Sequence, residues 1–378
     1  MKKRIVASCL AVALAWVITA QAEEPTAQWN ALVDEYLDKV YFPLNPTTAT
    51  LDGVHNYDSE IEDYSRAGVE AQDKKLHDFV ARVEQFPAEG LRPVDAADRQ
   101  ILLGTIRSDL LTLEGIRPLE KNPDAYSSGV TASIYVLMSR KFAPADERLR
   151  SAVAREKKIP GILARARDNL NNPPRVYTEI AIQQLPGIIA FYEKNVPLAF
   201  AAAKDQEVKS EFAKSNAEVM AALRKYEEWL KTDLLPRSKG DFRIGAENFS
   251  KKLLYEDMVD TPLDRLLEVG MGDLRKNQAA LRKVAKEIDP DKTAEQVMAQ
   301  LGSMHPAPDK LMETFRGTFD GLISFIQQKH IITIPSAARP ILQETPPFAR
   351  ATTTASMDAP GPFETKAKEA YFYGTKPK

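Results

Sequence analysis

Cysteine is all but missing from this 378-residue chain: Cys9 is the single one, and it lies in the N-terminal leader. Disulfides, thiolate catalysis and cysteine-ligated metals are thereby excluded from the mature protein. Histidine is nearly as scarce, with His55, His77, His305 and His330 the four present. None stands in an H-E-x-x-H, H-x-x-E-H or H-x-H arrangement, whereas a hydrolytic zinc takes three protein ligands converging on one open position. There is no G-x-S-x-G elbow, and Gly302-Ser303-Met304-His305 reads as a loop before Pro306. The glycine fingerprints G-x-G-x-x-G and G-x-x-x-x-G-K-[ST] are missing too, so nucleotide binding has no sequence support. No charge sign dominates: 51 Lys and Arg face 53 Asp and Glu, a net of −2. Losing Lys2, Lys3 and Arg4 with the leader makes the mature chain more acidic, which argues against nucleic acid or an anionic membrane surface as partner. The acidic runs Glu60-Ile61-Glu62-Asp63 and Glu287 to Asp291 read as solvated loops and helix ends.

What is present begins with export. Lys2 to Arg4 form a basic n-region, Ile5 to Ile18 an apolar run too short to span a bilayer, and Ala20-Gln21-Ala22 a small-x-small cleavage site. Residues 1–22 are therefore expected to be a signal peptide cleaved after Ala22, giving a periplasmic or secreted product with no stable membrane insertion. Val6-Ala7-Ser8-Cys9 loosely fits a lipid-attachment box, but the apolar run continues past Cys9, which disfavours a lipoprotein.

The mature chain patterns as helix almost throughout. Trp29, Leu32, Val33, Tyr36, Leu37 and Val40 share one face, with Pro43 and Pro46 closing that helix. Leu263, Leu266, Leu267, Leu274, Leu281, Val284 and Ile288 share another, with Thr261 expected as N-cap, Pro262 in the first turn and Asp289-Pro290 as the stop. Further helices are expected around 64–86, 94–114, 145–171, 176–203, 205–233 and 307–328, while 241–256 reads as either a hairpin or a helix. Strand signals are confined to Ile331–Ile334 and Tyr371–Tyr373. No repeat period and no linker appears. The expected fold is mostly α, a large multi-helix body with one or two short strands, and residues 23–378 form a single helical domain.

The final forty residues carry the densest pattern. Prolines and glycines punctuate Ser356-Met357-Asp358-Ala359-Pro360-Gly361-Pro362-Phe363-Glu364, and Tyr371-Phe372-Tyr373 follows just before the end at Lys378. Alternation puts Tyr371 and Tyr373 on one side of a strand, either as a ligand surface or as an edge packed on helices. Asp358, among prolines, suits a turn.

These stretches resemble a known family. Pro46-Thr47-Thr48-Ala49-Thr50-Leu51 through His55-Asn56-Tyr57-Asp58, Ile159-Pro160 through Leu170, Pro173-Pro174 to Gln184, Phe249 to Tyr255, and Met357 to Glu364 leading into Ala370-Tyr371-Phe372-Tyr373 together resemble exported bacterial proteins of the domain of unknown function 885 family. The resemblance implies a mostly helical zinc metallopeptidase of the gluzincin kind, of which this chain matches the N-terminal part. The family's zinc motif, a His-Glu pair followed by Pro-Gly-His, comes some dozens of residues beyond the aromatic strand and has no counterpart here. No catalytic residue and no metal ligand carries over, and zinc is expected only in full-length members. What the resemblance does carry over is a substrate-cleft wall at Met357, Asp358, Gly361, Tyr371 and Tyr373.

The expectation is thus the shortened front portion of an exported peptidase-like protein, inactive alone, partnered by a peptide substrate or a completing C-terminal polypeptide. Its rival is a non-catalytic helical peptide- or partner-binding protein in the periplasm. A third, weaker reading assembles a metal from scattered His, Asp and Glu around His55 or His305.

Overall fold

Residues 25–346, 349–350 and 353–376 are described by a computed structural model, so the leader, its cleavage site and Cys9 lie outside the described residues. The described chain is mostly helical and divides into two compact units at Asp260/Thr261, where the periodicity shows no boundary. In the first unit, α1 over 25–36 is followed by α2 (Pro46–Asp52), α3 (Arg66–Gln85), α4 (Pro93–Leu110), α5 (Asp124–Ser139), α6 (Ala145–Glu156), α7 (Ile159–Asn169), α8 (Arg175–Ala190), α9 (Gln206–Trp229) and α10 (Ala246–Asp257). The 241–256 ambiguity thus resolves as helix. The continuous helix expected over 145–171 is two, because Pro160 sits in the first turn of α7 and cannot continue α6.

The apolar spacing of α1 and α3 produces the packing it predicts. Trp29, Tyr36 and Val40 meet Leu76, Phe79, Val80 and Val83 of α3 and Leu103, Ile106 and Leu110 of α4 in one buried cluster. The rings of Tyr36 and Phe79 lie 5.2 Å apart, and Trp29 meets Phe86 edge-on at 5.4 Å. Each such side chain fully buried contributes about 1.5–3 kcal/mol. Helix α10 approaches α4 closely: a Cβ on Gly104 would stand 2.5 Å from the Tyr255 carbonyl oxygen.

Helix α5 is absent from the sequence-based expectation, and the reason is physical. Tyr126, Val130, Ile134 and Leu137 are buried, but so are Ser127, Thr131 and Ser133. A helix covered on every side has no solvent face and hence no amphipathic stripe. Its hydroxyls are satisfied locally: Thr131 Oγ1 donates to the Ser127 carbonyl at 2.7 Å and Ser133 Oγ to that of Val130 at 2.7 Å.

Prolines at the helix ends act together with widened turns. Leu37–Tyr41, Leu111–Ile116, Phe191–Asn195 and Leu230–Leu234 are π-helical, and Pro43, Pro118, Pro197 and Pro236 follow each by two residues. At each, the residue before the proline donates its N–H five residues back: Phe42 to Leu37, Arg117 to Thr112, Val196 to Phe191, Leu235 to Leu230. A proline ring in an unbroken α-helix meets the carbonyl four residues back and lacks an N–H for it. The extra residue moves that carbonyl aside, so α1 runs through Pro43 to Leu44 instead of stopping at it.

The second unit holds α11 (Leu263–Ile288), α12 (Ala294–Ser303), α13 (Leu311–Lys329) and strands β1 (Ile341–Glu344), β2 (Ala355–Asp358) and β3 (Tyr371–Gly374). The N-cap of α11 is Pro262, with no side-chain bond, so Thr261 lies one residue too early; the stop at Asp289 is as expected. The capping box sits instead on α12, where Thr293 and Gln296 satisfy each other's backbone N–H. Ile331–Ile334 forms no strand: His330 ends α13 in the left-handed conformation and irregular chain follows. The sheet has the order β1-β3-β2, with β1 parallel and β2 antiparallel to β3. Phe372 anchors it, its ring 5.1 Å from Phe315 and 5.2 Å from Phe319 of α13. Gly374 is needed there, since a Cβ would come within 2.9 Å of the Phe315 ring.

Candidate functional site

The five residues expected to wall a cleft fall on two adjacent strands and the loop leaving one of them. In the antiparallel register Asp358 faces Tyr371 and Met357 faces Phe372, while Gly361 follows in the loop and its carbonyl accepts the Glu364 N–H at 3.1 Å. Directly paired residues point to the same side. Asp358 therefore shares a face with Tyr371 and Tyr373, whereas Met357 shares the opposite one with Phe372.

Their exposure separates them. Tyr371 and Tyr373 are only 8% and 5% exposed, while Met357 is 58% exposed. The two tyrosine rings stack at 6.1 Å with 19° between their planes. Strand β3 is the middle strand, paired on both sides, so its backbone offers no free edge for an added peptide strand. The loop Pro360 to Glu364 is held from within: buried Glu364 accepts the N–H groups of Lys366 at 2.7 Å and Ala367 at 3.1 Å through Oε1.

The segment from Pro46 to Asp58 is organised around a side chain that the sequence does not single out. Arg155 is fully buried. It donates to the carbonyls of Ser133 at 2.5 Å, Pro46 at 3.2 Å and Tyr57 at 3.3 Å, and to Thr50 Oγ1 at 2.8 Å. Thr50 Oγ1 in turn donates a hydrogen bond to Asp58 at 2.7 Å, and His55 Nδ1 lies 3.2 Å from the same carboxylate while its ring stacks on Phe142 at 3.8 Å. Burial lowers the Arg155 guanidinium to about 10, opposed by the carboxylates of Glu62, Asp58 and Glu60. The site ties α2 to α5 and α6; Nη1 and Nη2 are directed at the protein's own oxygens, while the buried Nε has no hydrogen-bond partner. The acidic run beside it is likewise engaged, Glu62 by the N–H and hydroxyl of Thr47 at 2.9 and 2.8 Å and Glu60 by Lys158 at 2.6 Å.

A further grouping is equally hidden in the sequence. Asp73 and His77, one turn apart on α3, meet Glu114 of the widened turn after α4, the ligand atoms all within 4.8 Å of one another. His77 Nε2 lies 2.5 Å from Glu114 and 4.0 Å from Asp73. Hydrogen bonding to Glu114 raises the His77 pKa, and partial burial followed by the Glu114 charge raises that of Asp73. Among the described residues no group of three such side chains contains two histidines. His305 touches its neighbour's carbonyl, at 3.1 Å from the Pro306 oxygen, and His330 caps a helix. The residues present therefore do not compose the histidine-rich centre of a zinc peptidase, and the Asp73–His77–Glu114 cluster, half-buried at Asp73 and exposed at the other two, has the geometry of a surface ion-pair group.

Comparison with known proteins identifies the chain's relatives. Residues 46–378 match the family model described as bacterial protein of unknown function (DUF885), and the chain belongs to that family. A solved structure, of a candidate lipoprotein of unknown function from Shewanella oneidensis, superposes with a TM-score of 0.68 at 24% identity. That match covers 93% of this chain and 64% of the other, so the chain spans under two-thirds of its structural relative. At this identity the likeness shows the fold. No curated protein matches the chain.

Proposed function

We propose that this DUF885 chain forms the helical body of an exported, peptidase-like protein, and that further polypeptide must pack on it to complete a zinc centre. The observation that carries the reading is the apolar face of α11. Leu267, Met271, Leu274, Leu281, Val284 and Ile288 lie along a 26-residue helix of which only Ala285 is buried; Leu267 is 65% and Ile288 53% exposed. A single-sided apolar stripe of this length is built to face another element. Met298, Met304, Phe325, Ile332 and Phe363 of the same unit are also exposed. The structural relative is longer than this chain, and its unmatched part is the natural source of the covering polypeptide.

A zinc centre completed by further polypeptide would supply polarisation of a scissile carbonyl and activation of water; no residue of this chain is assigned to hold it. This chain's contribution is the scaffold and, at β2 and β3, the exposed Met357 and the half-buried Asp358 beside a rigid pair of stacked tyrosines. The test is metal analysis and peptide hydrolysis by purified residues 23–378. The expected result is substoichiometric zinc after dialysis, no hydrolysis of a peptide library, and strong binding of a hydrophobic dye. Stoichiometric zinc together with hydrolysis by this chain alone overturns the proposal.

A further inference from the structure

Asp73 and His77 stand four residues apart on α3 and so project from one face of it, and Glu114 reaches them from the π-helical turn Leu111–Ile116. That turn is held in place by α10: a Cβ on Gly115 would stand 3.0 Å from Asn248 Oδ1. One imidazole and two carboxylates are thereby gathered with every ligand atom within 4.8 Å of the others. A divalent transition ion takes imidazole nitrogen and carboxylate oxygen at about 2.0–2.2 Å, which puts tetrahedral donors about 3.3 Å apart. The His77 Nε2 distances of 2.5 Å to Glu114 and 4.0 Å to Asp73 fall on either side of that spacing. Small rotations of the exposed His77 and Glu114 side chains would bring all three to it.

Two further observations point to a cation. Asp73 Oδ1 is enclosed and has no hydrogen-bond donor among the described residues, although it stands toward His77. Like charge is also kept close: after burial, the Glu114 carboxylate is the next cause that raises Asp73, and Asp78 adds to the negative charge around His77. Among the described residues His77 is the one cationic partner of the two carboxylates, since Lys251, whose charge also reaches Glu114, is bonded to Glu247 at 2.7 Å. With its proton, His77 makes the ion-pair group described above. Without it, two carboxylates and an imidazole lone pair remain, which is a set of metal donors. The imidazole selects a first-row transition ion over magnesium or calcium, and water completes the coordination of a three-donor site.

We infer that Asp73, His77 and Glu114 bind a divalent transition-metal ion of the zinc type, which clips the turn after α4 to α3. The donors all belong to this chain, so the site is distinct from the centre that further polypeptide would complete, and no catalysis is assigned to it. An ion held by three side chains at the surface exchanges with solvent and is removed by dialysis, so the site is measured with the metal present.

The experiment is calorimetric titration of untagged, metal-free residues 23–378 with zinc chloride near neutral pH, alongside thermal melts with and without the ion. One zinc per chain is expected to bind saturably and to raise the melting temperature. His77→Ala and Glu114→Gln are each expected to weaken that binding by at least about ten-fold, the cost of losing even a supporting partner of a metal ligand, and to abolish the thermal shift. Both side chains are exposed, so the metal-free variants should melt close to the parent. Glu114→His, which supplies a second imidazole, should tighten the binding instead. Magnesium and calcium chlorides are expected not to compete. Absence of a saturable site overturns the inference, as does zinc binding that His77→Ala and Glu114→Gln leave unchanged, which would put the ion at other histidines. Calcium binding as tight as that of zinc overturns the assignment to a transition ion.

Discussion

Glu156 is the residue whose chemistry most constrains the behaviour of the fold. It lies fully buried between α6 and α9, where Ser215 Oγ donates to Oε2 at 2.5 Å and Oε1 has no hydrogen-bond partner. Burial pushes its pKa from 4.5 to about 8, the Ser215 bond opposing. The folded protein therefore holds a proton that the unfolded glutamate releases, and stability is full below about pH 4.5 and falls as pH rises towards 8. Burial also raises Asp109 to about 6, adding a loss of the same sign in a lower window. Urea unfolding from pH 5 to pH 9 should show the parent losing a few kcal/mol, at about 1.4 kcal/mol per unit of the shift. Glu156→Gln should flatten the upper part of that profile. A variant whose profile parallels the parent's between pH 6 and 9 would show that Glu156 is not the group responsible.

At the scale of elements, a helix is legible to the extent that it has two different sides. The stripes of α1, α3 and α11 stand out because polar residues separate Trp29 from Tyr36, Leu76 from Val83 and Leu267 from Leu274. Helix α5 is invisible because Ser127, Thr131 and Ser133 are buried with its apolar residues and bond to their own backbone. The prolines mislead for a related reason. Pro43 reads as a stop, yet the π-turn before it carries α1 onward to Leu44, whereas Pro160, with no such turn before it, opens a new helix. Periodicity also cannot say whether a stripe is covered. Leu137 of α5 is wholly buried and Leu274 of α11 is exposed, although by sequence pattern Leu274 is the one that reads as a core position. Leu137→Ala should cost about 2–5 kcal/mol and Leu274→Ala within about 0.5 kcal/mol in this chain alone. Denaturant melts of the two variants check this, and equal costs would refute the assignment of burial.

The whole molecule is two units of different character. The first is closed around Trp29, Ile106, Ile134 and Leu223, all essentially inaccessible to solvent. The other keeps few buried positions, among them Ala285, Val297, Tyr371 and Tyr373, and leaves much of its apolar surface outward. Strand β3 is legible in the sequence, since Tyr371-Phe372-Tyr373 alternates as a strand must. Strands β1 and β2 are not, because four-residue segments between prolines carry too little pattern, and their pairing depends on β3 standing between them. Arg66, Arg117, Arg167 and Arg237 line one cleft of about 600 Å³, a meeting created by the packing of α3 and α7 with the segments that follow α4 and α9.

If the C-terminal unit awaits further polypeptide, α11 has little tertiary support in this chain beyond its contact with α12, for a helix draws little stability from propensity alone. Amide hydrogen exchange on monomeric residues 23–378 measures this directly. The account predicts that the amides of Leu263–Ile288 exchange orders of magnitude faster than those of Pro93–Leu110, which pack in the first unit's core. Protection of α11 as strong as that of α4 in a monodisperse monomer would contradict it.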